Sequence, residues 1–291
     1  MKRIALLLCL LTLAGSATAQ TQAPAAAGAP PGAPAGRGGA PGAPGAPAPP
    51  STPYDFNEHP GWTSMFDGKT LNGWDGPKDI WHVENGTITA TGTVANPIGS
   101  VYLYWTGGKV KDFEFKTEIK LSEGGANSGI QFRALRLPKT AKKNSEWESV
   151  GYQADYTQSP GSMIECCRGS TAYRNAPGSG DEHVKAPRPG DSSRVGTVTR
   201  AALGEGLKPM VLASLGDSAD LQKFVRKGDW NEIHLIVRGR TLQYIINGHL
   251  MSELIDDNPD IFSEQGEISI QLEGGPPNTV AFRNMWIKPL P

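Results

Sequence analysis

The amino-acid sequence predicts an all-β protein: a two-sheet antiparallel β-sandwich of jelly-roll type with one short helix. Three observations carry that expectation. Apolar and polar residues alternate with a period of two through many short segments. Two Asn-Gly pairs, Asn85-Gly86 and Asn247-Gly248, sit between such segments where a tight hairpin turn belongs. Helical periodicity is scarce. A closed barrel is the competing architecture, since it satisfies the same alternation.

The strands follow in order. Trp81-His82-Val83-Glu84 and Thr87-Ile88-Thr89-Ala90 flank the first Asn-Gly turn. Phe113, Phe115, Thr117 and Ile119 alternate with Glu114, Lys116, Glu118 and Lys120. Ile130 and Phe132 alternate with Gln131 and Arg133, and Tyr152 and Ala154 with Gln153 and Asp155. Ile233, Leu235 and Val237 begin a further run, and residues 242–246 turn at Asn247-Gly248 into a partner. Ile268, Ile270 and Leu272 alternate with Ser269, Gln271 and Glu273, and Val280 and Phe282 open the last strand. One face of each strand is thereby apolar enough to bury. The helix is expected over residues 218–226, capped by Asp217 or Ser218, with Leu221, Phe224 and Val225 on one side. Residues 168–210, rich in Gly, Pro and charge, read as a long surface loop with room for a strand.

The chain has 291 residues and a formal net charge of -1. Lys2 and Arg3 precede an apolar run over residues 4–13, followed by Ala17-Thr18-Ala19. That is the pattern of a secretory signal peptide over residues 1–19, with cleavage before Gln20. A retained anchor is disfavoured, because no second apolar run follows. Cys9 lies too deep in the run for lipidation. Residues 20–53 are almost wholly Ala, Pro and Gly, without an aromatic residue. Such a segment cannot offset its ordering entropy and reads as a tether. The folded domain is expected over residues 54–291. The chain is therefore expected to be a periplasmic or secreted bacterial protein, with no transmembrane segment after cleavage.

Beyond the signal peptide stand the adjacent Cys166 and Cys167, a poor geometry for a disulfide. No Cys/His spacing suits a metal. The near-neutral charge offers no basic stripe for nucleic acid. Gly68-Lys69-Thr70 resembles the end of a phosphate loop, but Thr63 stands where the required glycine belongs, so it reads as a turn. No serine nucleophile elbow occurs. His82 and His234 fall in strands and read as structural, and Asn85-Gly86-Thr87 is explained by its turn.

The polar faces of the strands are informative. If they share a sheet, Glu118, Gln131, Arg133, Gln153, Asp155, Gln271 and Glu273 line one surface, where carboxylates, amides and a guanidinium suit sugar hydroxyls. Trp74, Trp81, Tyr102 and Trp105 could stack on pyranose rings. A solvated sheet face is the plain alternative.

Several segments together resemble a known family. Phe66-Asp67-Gly68-Lys69-Thr70-Leu71-Asn72-Gly73-Trp74 looks like the opening signature of the 3-keto-disaccharide hydrolase domain, formerly DUF1080. Trp81-His82-Val83-Glu84-Asn85-Gly86, Asn127-Ser128-Gly129-Ile130-Gln131-Phe132-Arg133 and Gly151-Tyr152-Gln153-Ala154-Asp155 follow in the family's order. Gly228-Asp229-Trp230-Asn231, Ile246-Asn247-Gly248 and Phe282-Arg283-Asn284 complete it. The resemblance implies a concanavalin A-like sandwich acting on glycosides whose C3 hydroxyl is a ketone. A ketone at C3 acidifies the C2 proton, so a base can remove it, the C1 substituent can leave, and water can add. The resemblance points to Asp155, Glu118 and Glu165 for acid and base work. It places Gln131, Arg133, Gln153, Asn127, Gln271, Glu273 and Trp74 around the substrate. No cofactor is required, though a divalent cation such as calcium could stabilise the enolate. Two departures stand out. The family's Gly-Ser-Leu-Tyr-Glu reads Gly161-Ser162-Met163-Ile164-Glu165 here, and its Q-L-H-x-G reads Gln271-Leu272-Glu273-Gly274-Gly275. A noncatalytic, lectin-like carbohydrate-binding module is the alternative, because the fold hosts both roles.

Overall fold

The computed structural model describes residues 55–93, 95, 100–122, 127–137, 139, 145–157, 164–168, 192–193, 195–201, 209–258, 262–273 and 277–291. The expected signal peptide and tether lie outside the described residues, as do residues 161–163, Gly274 and Gly275 and the side chains of Glu165, Cys166 and Cys167. The chain divides into two units, Met1–Pro53 and Tyr54–Pro291, and every described residue belongs to the second. No helix among the described residues is long and apolar enough to cross a membrane.

Seventeen strands among the described residues form two sheets. The ten-stranded sheet runs β12 (Met210–Ser214), β11 (Thr197–Arg200), β15 (His249–Ile255), β14 (Thr241–Ile246), β13 (Asn231–Arg238), β6 (Phe113–Leu121), β17 (Asn278–Pro289), β4 (Thr87–Gly92), β3 (Trp81–Glu84), with β1 (Thr63–Ser64) beside β17. The seven-stranded sheet runs β10 (Ser192–Ser193), β9 (Ile164–Arg168), β8 (Ser149–Thr157), β7 (Asn127–Arg136), β16 (Glu267–Leu272), β5 (Val101–Trp105), β2 (Trp74–Asp75). Every described strand pairing is antiparallel except β11 with β15. This is the sandwich expected from the alternation, and the sheets close over one apolar core.

The core follows the period-two pattern. Phe113, Phe115 and Ile119 from β6 are buried with Ile130 and Phe132 from β7, Tyr152 and Ala154 from β8, and Ile268, Ile270 and Leu272 from β16. Both Asn-Gly pairs turn as expected: Asn85 and Gly86 have φ of 49° and 76°, and Asn247 and Gly248 have 48° and 78°. Two successive left-handed residues match the twist of the flanking strands, and Asn tolerates that region better than most residues.

The helix is shorter than expected. It spans Ser218–Gln222, with the Asp217 carboxylate accepting from the Ala219 amide at 2.7 Å. Beyond it the bonds tighten to i→i+3 spacing, as from Phe224 N to Leu221 O and Val225 N to Gln222 O. Phe224 is exposed rather than core-facing, and its ring stacks on His249 at 3.4 Å. The Gly68 segment is a turn: Asp67 accepts from the Lys69 and Thr70 amides and from the Thr70 hydroxyl. Those donors hold the Asp67 carboxyl down to about 2.

Residues 55–62 lie across the outer face of the larger sheet. The Lys116 ammonium donates to the carbonyls of Phe56 and Glu58 and sits 4.4 Å from the Trp62 ring centre. His59 stacks on Trp286 at 3.9 Å. Beneath them His234 meets Glu114 at 2.9 Å. Burial lowers the His234 imidazole against the opposing pull of Glu114, which favours its neutral form.

Candidate functional site

The smaller sheet turns a polar face away from the core. Alternation puts Tyr102 of β5, Gln271 of β16, Gly129 and Gln131 of β7, and Gln153 and Asp155 of β8 on that face, opposite the buried Leu103, Ile270, Ile130 and Ala154. Register then makes them neighbours. Gln131 pairs with Gln153, Gly129 with Asp155, and Tyr102 with Gln271.

Their side chains form one hydrogen-bonded network. Gln131 Nε2 donates to the Tyr102 hydroxyl at 3.0 Å and to Gln153 Oε1 at 3.1 Å. Gln271 Nε2 donates to the same hydroxyl at 3.1 Å, and that hydroxyl donates to Gln153 Oε1 at 3.1 Å. Gln153 Nε2 donates to Asp155 Oδ1 and to Gln271 Oε1, both at 3.1 Å. Gln271 Nε2 also reaches Glu273 Oε2 at 2.5 Å. Carboxylates thus accept from the glutamine amides on two sides, Asp155 from Gln153 and Glu273 from Gln271. Gly129 makes room for it, since a Cβ there would lie 2.7 Å from Gln153 Nε2.

The network is buried: Gln131, Gln153, Gln271, Tyr102 and Asp155 are all nearly inaccessible. Exposure rises at one end, where Asn127 and Glu273 are half-buried. Asn278 ties that end together by donating to the carbonyls of Asn127 at 2.7 Å and Glu273 at 3.3 Å. Such an array of amides and carboxylates can exchange hydrogen bonds with vicinal hydroxyls. Among the described residues no three His, Cys, Asp or Glu side chains cluster as a metal site would require.

The structure thus brings together Gln131, Gln153, Asp155, Gln271 and Glu273, with Asn127 at the border. The backbone of Glu165 on β9 lies opposite Gln153. Three expected members are elsewhere. Glu118 belongs to β6 of the other sheet, on its outer face, where Arg283 forks onto its carboxylate with two 2.9 Å bonds and Asn284 adds a third. The Arg283 guanidinium lies 4.0 Å from the Trp230 ring centre, so the Phe282-Arg283-Asn284 and Trp230-Asn231 motifs are one packing unit.

Arg133 also leaves the polar face. The β7–β8 register shifts between Phe132 and Leu135, and Arg133 takes a φ of 47°. This bulge breaks the alternation and turns the guanidinium toward the loops of the opposite sheet. There it donates to the carbonyls of Lys111, Gly239 and Ser263 and to Asp112 Oδ1, and its side chain is wholly buried. Gly266 permits the close approach, because a Cβ would lie 2.3 Å from the Arg133 carbonyl carbon. Trp74, expected beside the substrate, is a core residue whose indole donates to the Met65 carbonyl at 2.7 Å. Trp81 is likewise buried in the core.

Sequence reasoning takes Tyr102 for a stacking ring and misses its place at the hub. The alternation of Tyr102 and Tyr104 with Val101 and Leu103 is the available signal, but only the pairing of β5 with β16 joins Tyr102 to the glutamines.

The fold and this face define a two-sheet β-sandwich with a buried polar network on the outer side of its smaller sheet. The family model for the 3-keto-alpha-glucoside-1,2-lyase-like domain matches residues 61–288, and the chain belongs to that family. A curated 3-keto-disaccharide hydrolase from Bacteroides thetaiotaomicron is 35% identical over 95 residues, covering 30% of this chain and 32% of that protein. The match thus spans about a third of that relative's length. Among solved structures, a candidate glycosyl hydrolase from Parabacteroides distasonis aligns over 79% of this chain and 99% of its own at 19% identity and a TM-score of 0.44. The carbohydrate-binding module CBM66 from Bacillus subtilis aligns over 74% and 95% at 10% identity and a TM-score of 0.39.

Proposed function

We propose that this protein is an exported enzyme that cleaves the glycosidic bond of 3-keto-glycosides on the glutamine-lined face, with Asp155 as the general base. The observation that carries the reading is the network ending in Asp155. A carboxylate fixed by a glutamine amide can be aimed at one C–H bond of a bound sugar. Substrate would reach it from the half-buried Asn127 and Glu273 end.

Asp155 would take the C2 proton, which the C3 ketone acidifies. The electron pair forms the C1–C2 double bond as the C1–O bond breaks, and the departing oxygen is protonated by a second acid. Water then adds across the double bond to give the free 3-keto sugar. Glu273, which stands where the motif resemblance expects a histidine, is the described candidate for that acid. Glu165 remains a candidate on the strength of its register opposite Gln153.

A binding module is the second reading, and one observation favours it. With Glu118 and Arg133 outside the site, amides dominate the face, and amides hold hydroxyls without moving protons. One experiment separates the two. Purified protein is incubated with a 3-keto-glycoside and the products are resolved by mass. Release of the aglycone by the parent chain but not by Asp155→Asn supports the enzyme. Retained sugar affinity without turnover of any keto-sugar supports the binder. Turnover unchanged in Asp155→Asn removes Asp155 from the base role.

A further inference from the structure

We propose that Tyr102 is a positioning residue that acts on Asp155 through the Gln153 amide. The inference rests on the reading of this face as the reactive one, but it concerns how the face is built and is testable without turnover.

A tyrosine hydroxyl has one hydrogen to give and can accept two. All three are used here: the hydroxyl accepts from Gln131 Nε2 and Gln271 Nε2 and donates to Gln153 Oε1. Gln153 Oε1 accepts a second hydrogen from Gln131 Nε2. Two donors on its oxygen leave the Gln153 amide only one orientation, with Nε2 toward Asp155 Oδ1 and Gln271 Oε1. Turning the amide over would face Oε1 against two acceptors and Nε2 against the hydrogens of Gln131.

The contacts run in one direction. Tyr102 gives its hydrogen to the amide oxygen, and the same amide gives a hydrogen to the carboxylate. Donation into an amide oxygen polarises the amide and strengthens its N–H as a donor, the more so away from water. Tyr102 thus both orients and polarises the group that holds Asp155. Its nearly complete burial argues that it does not touch substrate.

Asp155 has other neighbours that bear on its titration. On its own strand it has Gln153, and on β7 Gly129 stands opposite. From β16 come Gln271 and, beyond it, Glu273. The backbone of Glu165 on β9 pairs with Gln153. From the core side, the Tyr244 hydroxyl is pushed well up, mainly by burial and partly by the charges of Tyr156 and Asp155. Removing the Tyr102 hydroxyl alters none of these charges, so a change at Asp155 reports the relay.

The test is a carbon-detected NMR titration of the Asp155 carboxyl, assigned by loss of its signal in Asp155→Asn. In Tyr102→Phe the Asp155 midpoint should rise by about 0.1 to 0.7 of a unit, because the weakened amide donor no longer favours the charged form as strongly. Tyr104→Phe serves as control: that hydroxyl donates to the Glu148 carbonyl at 2.8 Å, and its loss should leave the Asp155 midpoint in place. Gln153→Leu removes the relay altogether and should raise the midpoint at least as far, which keeps the test alive if Tyr102→Phe folds poorly. A midpoint unmoved in Tyr102→Phe, or unmoved in Gln153→Leu, overturns the proposal. With a 3-keto-glycoside in hand, the acid limb of the turnover profile should follow the NMR midpoint. Absence of turnover in the parent chain, together with a shifted midpoint, retires the enzymatic reading and leaves the relay standing.

Discussion

Replacing Arg133 by methionine tests the separation of frame from site. The Arg133 side chain is wholly buried and makes four hydrogen bonds: Lys111 O at 2.8 Å, Gly239 O at 2.7 Å, Ser263 O at 3.3 Å and Asp112 Oδ1 at 2.9 Å. Methionine fills much of the volume and supplies none of the hydrogens. Three carbonyls lose a donor, and Asp112 keeps only the Gly239 amide at 2.9 Å. Removing one partner of a buried charge pair typically costs about 3–5 kcal/mol. With a urea slope of about 1–3 kcal/mol per molar, the unfolding midpoint should fall by at least about 1 M. Arg133→Lys should recover only part of this, because an ammonium cannot fork across four acceptors. Equilibrium unfolding followed by circular dichroism measures the loss. Sugar affinity measured by calorimetry on the folded variant should stay within about twofold of the parent, a change below about 0.5 kcal/mol. A methionine variant as stable as the parent, or one that folds but loses sugar affinity tenfold, would refute the assignment of Arg133 to the frame.

Other outcomes follow from the same geometry. Glu118→Gln should lower stability by about 1 kcal/mol, since Arg283 is partly exposed, and should leave turnover or sugar affinity unchanged; thermal unfolding beside an activity or binding assay checks both halves. Gly129→Ala forces Gln153 off its bonds and should reduce turnover, or affinity if the protein only binds, by about tenfold; Michaelis kinetics or calorimetry reads this. Acidification should destabilise the fold. The His234 imidazole is lowered from 6.5, so just below pH 6.5 the unfolded chain binds more protons than the folded one. Stability conferred by its neutral form is present above that point and lost as pH falls, and His234→Gln should flatten the dependence of Tm on pH between 7.5 and 5.5. The Asp67 carboxyl should titrate near 2 by NMR, and its turn should hold at pH 3.8 and open only as pH falls toward about 2.

The residues that the sequence placed well share a property. Gln131, Gln153, Asp155 and Gln271 lie in regular strands, where each step along the chain reverses the side chain's direction. Their common face was legible from alternation with Ile130, Ala154 and Ile270. Arg133 was misplaced because one bulge reverses that arithmetic, and nothing in Phe132-Arg133-Ala134 announces it. Glu118 was misplaced for a different reason. Its direction relative to the core was right, but alternation does not say which of two sheets a strand joins. Trp74 sits on a two-residue strand, too short for any period to be read.

The longer strands, the Asn-Gly turns, a capped helix start and the apolar side of those longer strands were legible in the chain. These depend on local sterics and on a period of two, both carried by near neighbours. The tertiary structure decided which strands lie side by side, and with that the meeting of Tyr102 with Gln131, Gln153 and Gln271. Strand partners far apart in the chain are selected by the joint burial of a whole core, a sum over contacts that no local window contains.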